Sequence, residues 1–487
     1  MTLTPMLGAG WLTAILPELV LVVAGLILIL LDAFAPRLRP YFSHLTVLSL
    51  IGAAVAVMRV PLGIYFGGTY EIGRLTILFD LIFLVATLLA VLFSREYLGR
   101  EGFEGGEYYA LLLWGTVGMM MMAKGLDLLV VILGLELLSI CIFILAGSHR
   151  RIPIANEASL KYFLMGAFAT GFILYGTALI YGMTGSTSVV QLGQWFATLD
   201  ATPPLLTISV VMVLGGLGFK LALAPFHGWA PDVYQGAPTP VAAWLSTAPK
   251  AATLVALIRI WDALDGGSGV QAWTGLIAVL SVLSMVVGNL VAIAQRDLKR
   301  MLAYSGIAHV GYMAIAIYVL RPESIAAITI YAATYALMNI GAFGVVSLLQ
   351  KSQNEPQTLD DVAGMGFRHP MYGLALTVCM ISLAGIPPTA GFMAKFYLFR
   401  VAVEAGAVWI ALVGIVASIV SVYYYLRVVY YLYMKEADEL TVEPDQGIFS
   451  AAALAITVVG ILAIGILPAP LFRGALEAAT ALILRSP

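Results

Sequence analysis

The chain has 487 residues, of which 61% are hydrophobic and only 11% are charged. Soluble domains carry about 25% charged residues, so this composition excludes a soluble enzyme and indicates an integral membrane protein. The formal net charge of −2 argues against nucleic acid as a partner. Two cysteines, Cys141 and Cys379, lie in separate apolar runs. They are too few for a disulfide framework, an iron–sulfur cluster or a zinc site.

Apolar runs suited to membrane-spanning helices follow one another along the chain. A span needs about 20 apolar residues, and the run nearest the amino terminus has no preceding Lys or Arg, so we interpret it as a retained helix. The sequence thus predicts an all-α membrane protein with about fourteen helices. The apolar windows lie at 12–31, 41–59, 75–94, 108–123, 127–147, 157–182, 205–235, 238–263, 271–293, 301–320, 324–350, 371–404, 406–434 and 448–471.

Two of these windows, 205–235 and 371–404, are too long for one straight span and contain internal prolines. A proline removes a backbone hydrogen bond from a helix, so each window is predicted to form a broken helix. Pro225 and Pro387 stand 162 positions apart, close to the offset between the starts of helices 4–8 and helices 9–13. We therefore predict two five-helix repeats, inverted relative to each other because five is odd, as in ion transporters.

The repeat and the loop charges together predict the organisation of the chain. Lys and Arg are more frequent in the odd-numbered loops, which predicts that these loops face the cytoplasm and that both termini lie on the outer side. The predicted segments are an N-terminal three-helix segment (1–106), a first repeat (107–264), a second repeat (265–434) and a C-terminal helix (435–487).

Four of the eight lysines fall inside apolar runs, although a charge in the membrane is costly. Lys220 precedes Pro225 by five residues, Lys250 directly follows Pro249, and Lys395 follows the proline pair that ends at Pro388. Irregular backbone at membrane depth is tolerated only against protein or a wet cavity. Buried lysine can lose its proton, whereas arginine cannot. These three lysines are thus candidates for proton transfer.

Glu136 lies well inside the fifth predicted helix, where a carboxylate must be paired, neutral or hydrated. We expect it to form the control point of a proton path with Lys220. Lys161 is a weaker candidate because an interfacial ion pair with Glu157 explains it almost as well. His227 and His309 could connect the lysines as neutral donor–acceptors, or could be ordinary packing residues.

Other polar groups are interpreted more simply. Asp80 and Arg259 lie near helix ends and are expected to be anchors or ion pairs. The tyrosines at 423–425 and 430–431 are expected to form an aromatic belt at the membrane interface.

Three segments carry a family resemblance: HGWAPDVYQGAPTPVAAWLSTAPKAA, KRMLAYSGIAHVGYM and SLAGIPPTAGFMAKFYLF. They resemble the antiporter-like membrane subunits of the proton-pumping NADH–quinone oxidoreductase, respiratory complex I, and most closely its N-type. The approach to helix eight reads DVYQGAP from Asp232, where the L- and M-types usually have His and Glu after the Asp. At Lys395 the M-type usually has Glu.

The resemblance implies a role for each candidate residue. Glu136 and Lys220 match the family's carboxylate–lysine pair, Lys250 its connecting lysine and Lys395 the lysine that leads to the outer exit. Accessory positions are matched by Lys161, His227 and His309.

The resemblance also implies the setting of the chain. It implies a bacterial inner membrane and no redox centre in this chain, with quinone, FMN and iron–sulfur clusters in partner subunits. The implied partners are a neighbouring antiporter-like subunit, small membrane subunits, the lateral helix of the L-type subunit, and lipid. The alternatives are a subunit of a sodium/proton antiporter or of a membrane-bound hydrogenase, and a quinone-binding or purely structural membrane subunit.

Overall fold

The computed structural model describes residues 10–264, 270–350, 357–436 and 447–483, which are almost entirely helical. The one described sheet is a two-stranded antiparallel hairpin. The N-terminal elements are α1 (Trp11–Ala14), α2 (Leu16–Phe34), α3 (Phe42–Val57), β1 (Gly63–Tyr65), β2 (Tyr70–Ile72) and α4 (Arg74–Glu101). Short 3₁₀ turns cover Pro36–Tyr41, Phe66–Gly68 and Asp360–Val362.

The central part of the chain forms eight helices of unequal length. They are α5 (Gly106–Lys124), α6 (Leu128–Ala146), α7 (Pro153–Thr184), α8 (Val189–Ala197), α9 (Pro204–Leu221), α10 (Ala230–Gly236), α11 (Thr239–Leu245) and α12 (Ala248–Leu264). The C-terminal part forms nine more. They are α13 (Val270–Ala294), α14 (Leu298–Val319), α15 (Pro322–Leu349), α16 (Met365–Arg368), α17 (Pro370–Ala384), α18 (Ala390–Glu404), α19 (Val408–Met434), α20 (Ile448–Ile466) and α21 (Ala469–Ile483).

Within the described residues, twelve helical segments are long and apolar enough to cross a membrane. The predicted all-α membrane class is therefore confirmed. The two other predicted windows correspond to α5 and to the pair α17–α18. The count of fourteen spans and the inverted repeat remain predictions.

Both predicted helix breaks are present. Helix α9 ends at Leu221, followed by Ala222 with a φ of 58°, and the next helix begins at Ala230. Helix α17 ends at Ala384, and Gly385 follows with a φ of 84°, a left-handed conformation that favours glycine. The eighth predicted span is also interrupted, between α11 and α12, directly before Pro249 and Lys250.

The interior of the bundle is built around α12 and α15. All of the apolar window in Thr239–Asp262 is buried inside the protein, and 94% of that in Pro322–Leu349 is. Only 28% is buried in α2 and in α20, which therefore present most of their surface outward. Polar groups carried by α12 and α15 are thus held away from lipid.

Candidate functional site

Glu136 lies in the middle of α6, whose start is fixed by Asp127. The Asp127 carboxylate accepts a hydrogen bond from the backbone N–H of Leu129 and caps the helix. Glu136 itself is half-buried and accepts a hydrogen bond of 2.7 Å from the hydroxyl of Thr170 on α7. The carboxylate is therefore oriented by a neutral donor from the neighbouring helix.

Lys220 lies in the last turn of α9, directly before the break. Its side chain is 8% exposed, and its ammonium donates a 2.7 Å hydrogen bond to the hydroxyl of Ser139. Ser139 follows Glu136 by three residues, so both face the same side of α6. No nitrogen–oxygen distance of 4.0 Å or less joins Lys220 to Glu136. Lys220 is thus held by Ser139 on the face of α6 that also carries Glu136, and it forms no direct ion pair with that carboxylate.

Aromatic rings surround the Lys220 ammonium. Its nitrogen lies 5.5 Å from the ring centre of Phe143 and 5.9 Å from that of Tyr162. Beyond the break, the indole of Trp229 stacks on Tyr162 and donates a 2.9 Å hydrogen bond to the carbonyl of Phe219. This bond ties the chain after the break to the last turn of α9 and so fixes where Lys220 points.

Lys250 lies in the first turn of α12 and is 1% exposed. Its nitrogen stands 5.6 Å from the ring centre of Tyr234, and it has no hydrogen-bond partner among the described residues. The hydroxyls of Tyr234 and Tyr335 are buried and equally without a partner in that part of the chain. Because buried donors are almost always satisfied, this region is one where ordered water is expected.

Gly306 on α14 makes room beside Lys250. A β-carbon at this position would lie 2.8 Å from the hydroxyl oxygen of Tyr335 and 3.1 Å from the Lys250 nitrogen. Because Gly306 has no side chain, the Lys250 ammonium and the Tyr335 hydroxyl can both lie against it.

His309, also on α14, continues the series toward α19. It is 1% exposed, and its two ring nitrogens lie 2.8 Å from the Tyr331 hydroxyl and 3.0 Å from the Tyr425 hydroxyl. Gly306, one turn before His309 on α14, lies beside Lys250, and the ring of Tyr312, three residues after His309, lies 5.3 Å from the Lys395 nitrogen. The structure thus places His309 between the two lysines that it was expected to connect.

Lys395 lies in α18, after the second break, whereas Lys220 precedes the first. Its ammonium donates 3.0 Å hydrogen bonds to the carbonyls of Leu383 and Ala384, the last two residues of α17, and a 2.8 Å bond to Ser418. The free carbonyls at a helix end carry negative partial charge, which favours a cation. Lys395 therefore satisfies carbonyl groups that the helix break leaves without backbone partners.

The two remaining candidates lie outside this buried series. Lys161 is 43% exposed and forms ion pairs with Glu157 at 2.7 Å and with Asp232 at 3.1 Å. The Asp232 carboxylate also pairs with Arg300 at 2.7 Å, which links α10 to α14. The interfacial ion pair weighed for Lys161 is therefore present, within a larger network.

His227 is half-buried in the segment after the first break. Its ring lies 6.4 Å from that of Tyr304, and its Nδ1 has no hydrogen-bond partner among the described residues. This position is consistent with an accessory role and does not bring His227 into contact with either neighbouring lysine.

The structure corrects the belt interpretation of the tyrosines. Tyr424 and Tyr425 are fully buried, and the Tyr424 hydroxyl donates a 2.9 Å hydrogen bond to Asn289. Tyr423 and Tyr430 are exposed, and for them the belt remains a prediction. The tyrosines differ in the helix face that they occupy and not in depth, because the exposed Tyr423 lies farther from the end of α19 than the buried Tyr424 and Tyr425.

Two lysines that lie between the predicted apolar windows are buried. Lys299 is 2% exposed and donates to the carbonyl of Ala237 at 2.8 Å. Lys124 is 2% exposed and contacts Glu18 and Asp80. Asp80 and Arg259 do form ion pairs, as expected, but both are buried. Within the described ranges, no group of three or more His, Cys, Asp or Glu side chains could hold a metal ion.

This arrangement of broken helices and buried lysines matches a known class. Residues 125–421 match the family model described as NADH:quinone oxidoreductase/Mrp antiporter, transmembrane. A chain of the archaeal membrane-bound sulfane sulfur reductase has the same fold, with a TM-score of 0.86 at 26% identity, covering 96% of this chain and 97% of its own. The fold is thus that of the antiporter-like membrane proteins.

Closer relatives narrow the class. NADH-quinone oxidoreductase subunit N from Trichlorobacter lovleyi is 43% identical over 471 residues, covering 96% of each chain. A chain in the structure of respiratory complex I from Thermus thermophilus with bound aureothin is 35% identical, with a TM-score of 0.79 over 94% of this chain and 98% of its own. The chain belongs to the NADH-quinone oxidoreductase subunit N family.

Proposed function

We propose that this chain moves protons across the membrane through Glu136, Lys220, Lys250, His309 and Lys395, as an antiporter-like membrane subunit of NADH-quinone oxidoreductase. The observation that carries the proposal is the position of the three lysines. Each is buried, and each lies next to an interruption of its helix. Interrupted helices at membrane depth are where ion sites are built in transporters.

The chemistry follows from the contacts of each group. The charged Lys220 ammonium can pass its proton toward Lys250 through water and so become neutral, and it takes up another proton while Glu136 is ionised. The Ser139 hydroxyl, which lies one helical turn from Glu136, holds the ammonium in place. Neutral histidine both donates and accepts, so His309 can relay a proton between Lys250 and Lys395. Lys395 leads to the outer side.

Lys161 and His227 are proposed as accessory groups at the cytoplasmic side of this route. The network of Lys161, Asp232 and Arg300 lies at the ends of α7, α10 and α14, which the loop charges assign to the cytoplasm. With this orientation both termini lie on the outer side of a bacterial inner membrane.

The subunit belongs to an enzyme whose redox reaction takes place elsewhere. We propose that it binds no cofactor, and that quinone, FMN and iron–sulfur clusters lie in partner subunits. Its proposed partners are the neighbouring antiporter-like subunit, the small membrane subunits and the lateral helix of the L-type subunit, together with lipid. The predicted segments 1–106, 107–264, 265–434 and 435–487 are retained in this proposal.

The alternative, a subunit of a sodium/proton antiporter or a membrane-bound hydrogenase, has less support. Curated relatives named subunit N are about 40% identical over most of the chain. A chain of the Mrp complex from Dietzia is only 21% identical, which shows the fold alone.

The test is proton translocation by the intact complex. Glu136→Gln and Lys220→Met should abolish NADH-driven proton uptake by vesicles that contain the purified, fully assembled complex. Glu404→Gln is the matched control for the first variant, because Glu404 is also on a helix but is 51% exposed and pairs only with the exposed Arg400 among the described residues. Wild-type pumping in both Glu136→Gln and Lys220→Met would overturn the proposed route. Lack of NADH–quinone activity in the native complex would overturn the assignment to this enzyme.

A further inference from the structure

A second group of buried charges lies away from the proposed route, near the N-terminal end of the bundle. The Lys124 nitrogen lies 2.5 Å from Glu18 Oε1 and 2.7 Å from Asp80 Oδ2. The Tyr70 hydroxyl donates a 2.6 Å hydrogen bond to the same Glu18 oxygen. We call Glu18, Asp80, Lys124 and Tyr70 the N-terminal charge cluster.

The residues of the cluster come from four elements of the chain. Glu18 comes from the first turn of α2, Asp80 from α4, Lys124 from the end of α5 and Tyr70 from β2. Their exposed fractions are 6% for Glu18, 1% for Asp80 and 2% for Lys124. Water therefore does little to screen these charges, and their balance must come from the protein itself.

The cluster has more negative than positive groups. Two carboxylates face one ammonium, and the nearest other charges, Glu71 and Arg259, form a balanced buried pair at 3.0 Å. Asp80 Oδ1 and Glu18 Oε2 are buried and have no hydrogen-bond partner in the described part of the chain. If both carboxyls were ionised, one buried negative charge would be uncompensated, which is strongly unfavourable.

Other buried polar groups between α4 and α5 are neutral and do not leave an uncompensated charge. Thr87 and Thr116 lie 2.8 Å apart between α4 and α5, and the indole of Trp244 donates to Thr87 at 2.9 Å. Seven residues further along α4, Ser94 pairs with the Tyr108 hydroxyl at 2.8 Å. The hydroxyls in these pairs satisfy each other and fix the position of α4 along α5. Among the described residues, the buried carboxylate oxygens that have no hydrogen-bond partner all belong to the N-terminal charge cluster.

We propose that the N-terminal charge cluster is a proton-binding site, in which Glu18 and Asp80 together hold one exchangeable proton against Lys124. Binding converts one carboxylate to a carboxylic acid, so that one negative charge remains to pair with the ammonium. The groups that face Asp80 are Glu18 from α2, Lys124 from α5 and, through its charge, Arg259 from α12.

The site exchanges protons with one membrane surface. Glu18 lies at the start of α2 and Lys124 is the last residue of α5, so the cluster lies at the helix ends that the loop charges place outside. It is separate from the route of Glu136 to Lys395, and the inference does not depend on that route.

The test is infrared absorption by the C=O stretch of a protonated carboxyl in the purified, assembled complex at neutral pH. Both Asp80→Asn and Glu18→Gln should lose one protonated carboxyl, because either change leaves one carboxylate to balance Lys124. The matched control is Glu104→Gln, since Glu104 forms a balanced pair with Arg95 at 2.9 Å. This control should leave the band unchanged.

A third variant keeps the test decisive if one carboxyl variant fails to assemble. Lys124→Met removes the only ammonium of the cluster and should increase the absorption by one further protonated carboxyl. An unchanged band in the Asp80→Asn and Glu18→Gln complexes would mean that both groups are ionised. The cluster would then be a structural ion pair, and the proposal would be overturned without any consequence for the proposed route.

Discussion

Lys395 donates a hydrogen bond of 3.0 Å to the carbonyl of Ala384, the last residue of α17, from the helix that follows the break. A third bond, to Ser418, joins the same ammonium to α19. The lysine thus connects three helical segments at the point where the backbone has lost its own hydrogen bonds. Lys395 therefore has two possible roles: it stabilises the helix break as a cation, and it can release a proton. A substitution that keeps the charge but not the proton release can distinguish them.

Lys395→Arg should preserve the cation at the helix end and abolish proton transfer. Arginine can donate to the same carbonyls but stays charged at every relevant pH. We expect assembled complex and a fall in NADH-driven proton translocation of roughly a hundredfold, the scale of one proton-transfer group. Lys435→Arg, on an exposed residue, is the control. Normal pumping by Lys395→Arg would show that Lys395 acts only as a structural cation.

Gly306→Ala should slow pumping with little loss of stability. The added methyl would lie 3.1 Å from the Lys250 nitrogen and 2.8 Å from the Tyr335 hydroxyl, both ends of side chains that can move. We expect this displacement to raise the activation free energy of proton transfer by about 1.4 kcal/mol, which corresponds to a tenfold slower step. Proton uptake and the thermal inactivation temperature of the complex should be measured together.

Gly99→Ala is the matched control for this substitution. Gly99 lies in α4, and a β-carbon there would meet nothing within 4 Å. It should leave pumping unchanged. Equal pumping by the two alanine variants would mean that the space beside Lys250 is not used.

The broken helices and the four charged positions Glu136, Lys220, Lys250 and Lys395 within helices could be predicted from the sequence, because a charge or a proline within an apolar run is conspicuous in one dimension. The contacts could not. Ser139 and Gly306 are ordinary residues whose importance arises only when two helices meet. Lys124 was placed in a loop because it ends a helix, and nothing local shows that Glu18, more than a hundred residues earlier, covers it.

Tyr425→Phe should disturb His309. It removes the hydroxyl 3.0 Å from Nε2 and leaves a buried ring nitrogen without this partner. An unsatisfied buried polar group costs about 1–3 kcal/mol, so we expect a lower inactivation temperature together with slower proton translocation. Tyr430→Phe removes a hydroxyl from a tyrosine that is 51% exposed and should change neither quantity. Identical behaviour of the two variants would exclude a relay through His309.

Lys161→Met tests whether the surface network is essential. Lys161 is 43% exposed, and Asp232 keeps its ion pair with Arg300 when the lysine is removed. Exposed ion pairs contribute at most about 1 kcal/mol, so we expect less than about a fivefold change in pumping, smaller still at high salt. A complete loss of proton uptake in Lys161→Met would show that this lysine is essential for proton transfer and not an accessory group.

Ser139→Ala examines the link between Glu136 and Lys220. The hydroxyl accepts from the Lys220 ammonium at 2.7 Å and donates to the carbonyl of Leu135 at 2.6 Å. A hydrogen bond to a charged group contributes about 1.5–3 kcal/mol, so its removal frees the ammonium to move along α6 toward Glu136. We expect proton translocation to slow by roughly tenfold or more, because the lysine would then pair with the carboxylate and release its proton less readily. Ser49→Ala is the control, since the Ser49 hydroxyl bonds to a carbonyl of its own helix. Wild-type pumping by Ser139→Ala would show that Lys220 is positioned by its aromatic neighbours instead.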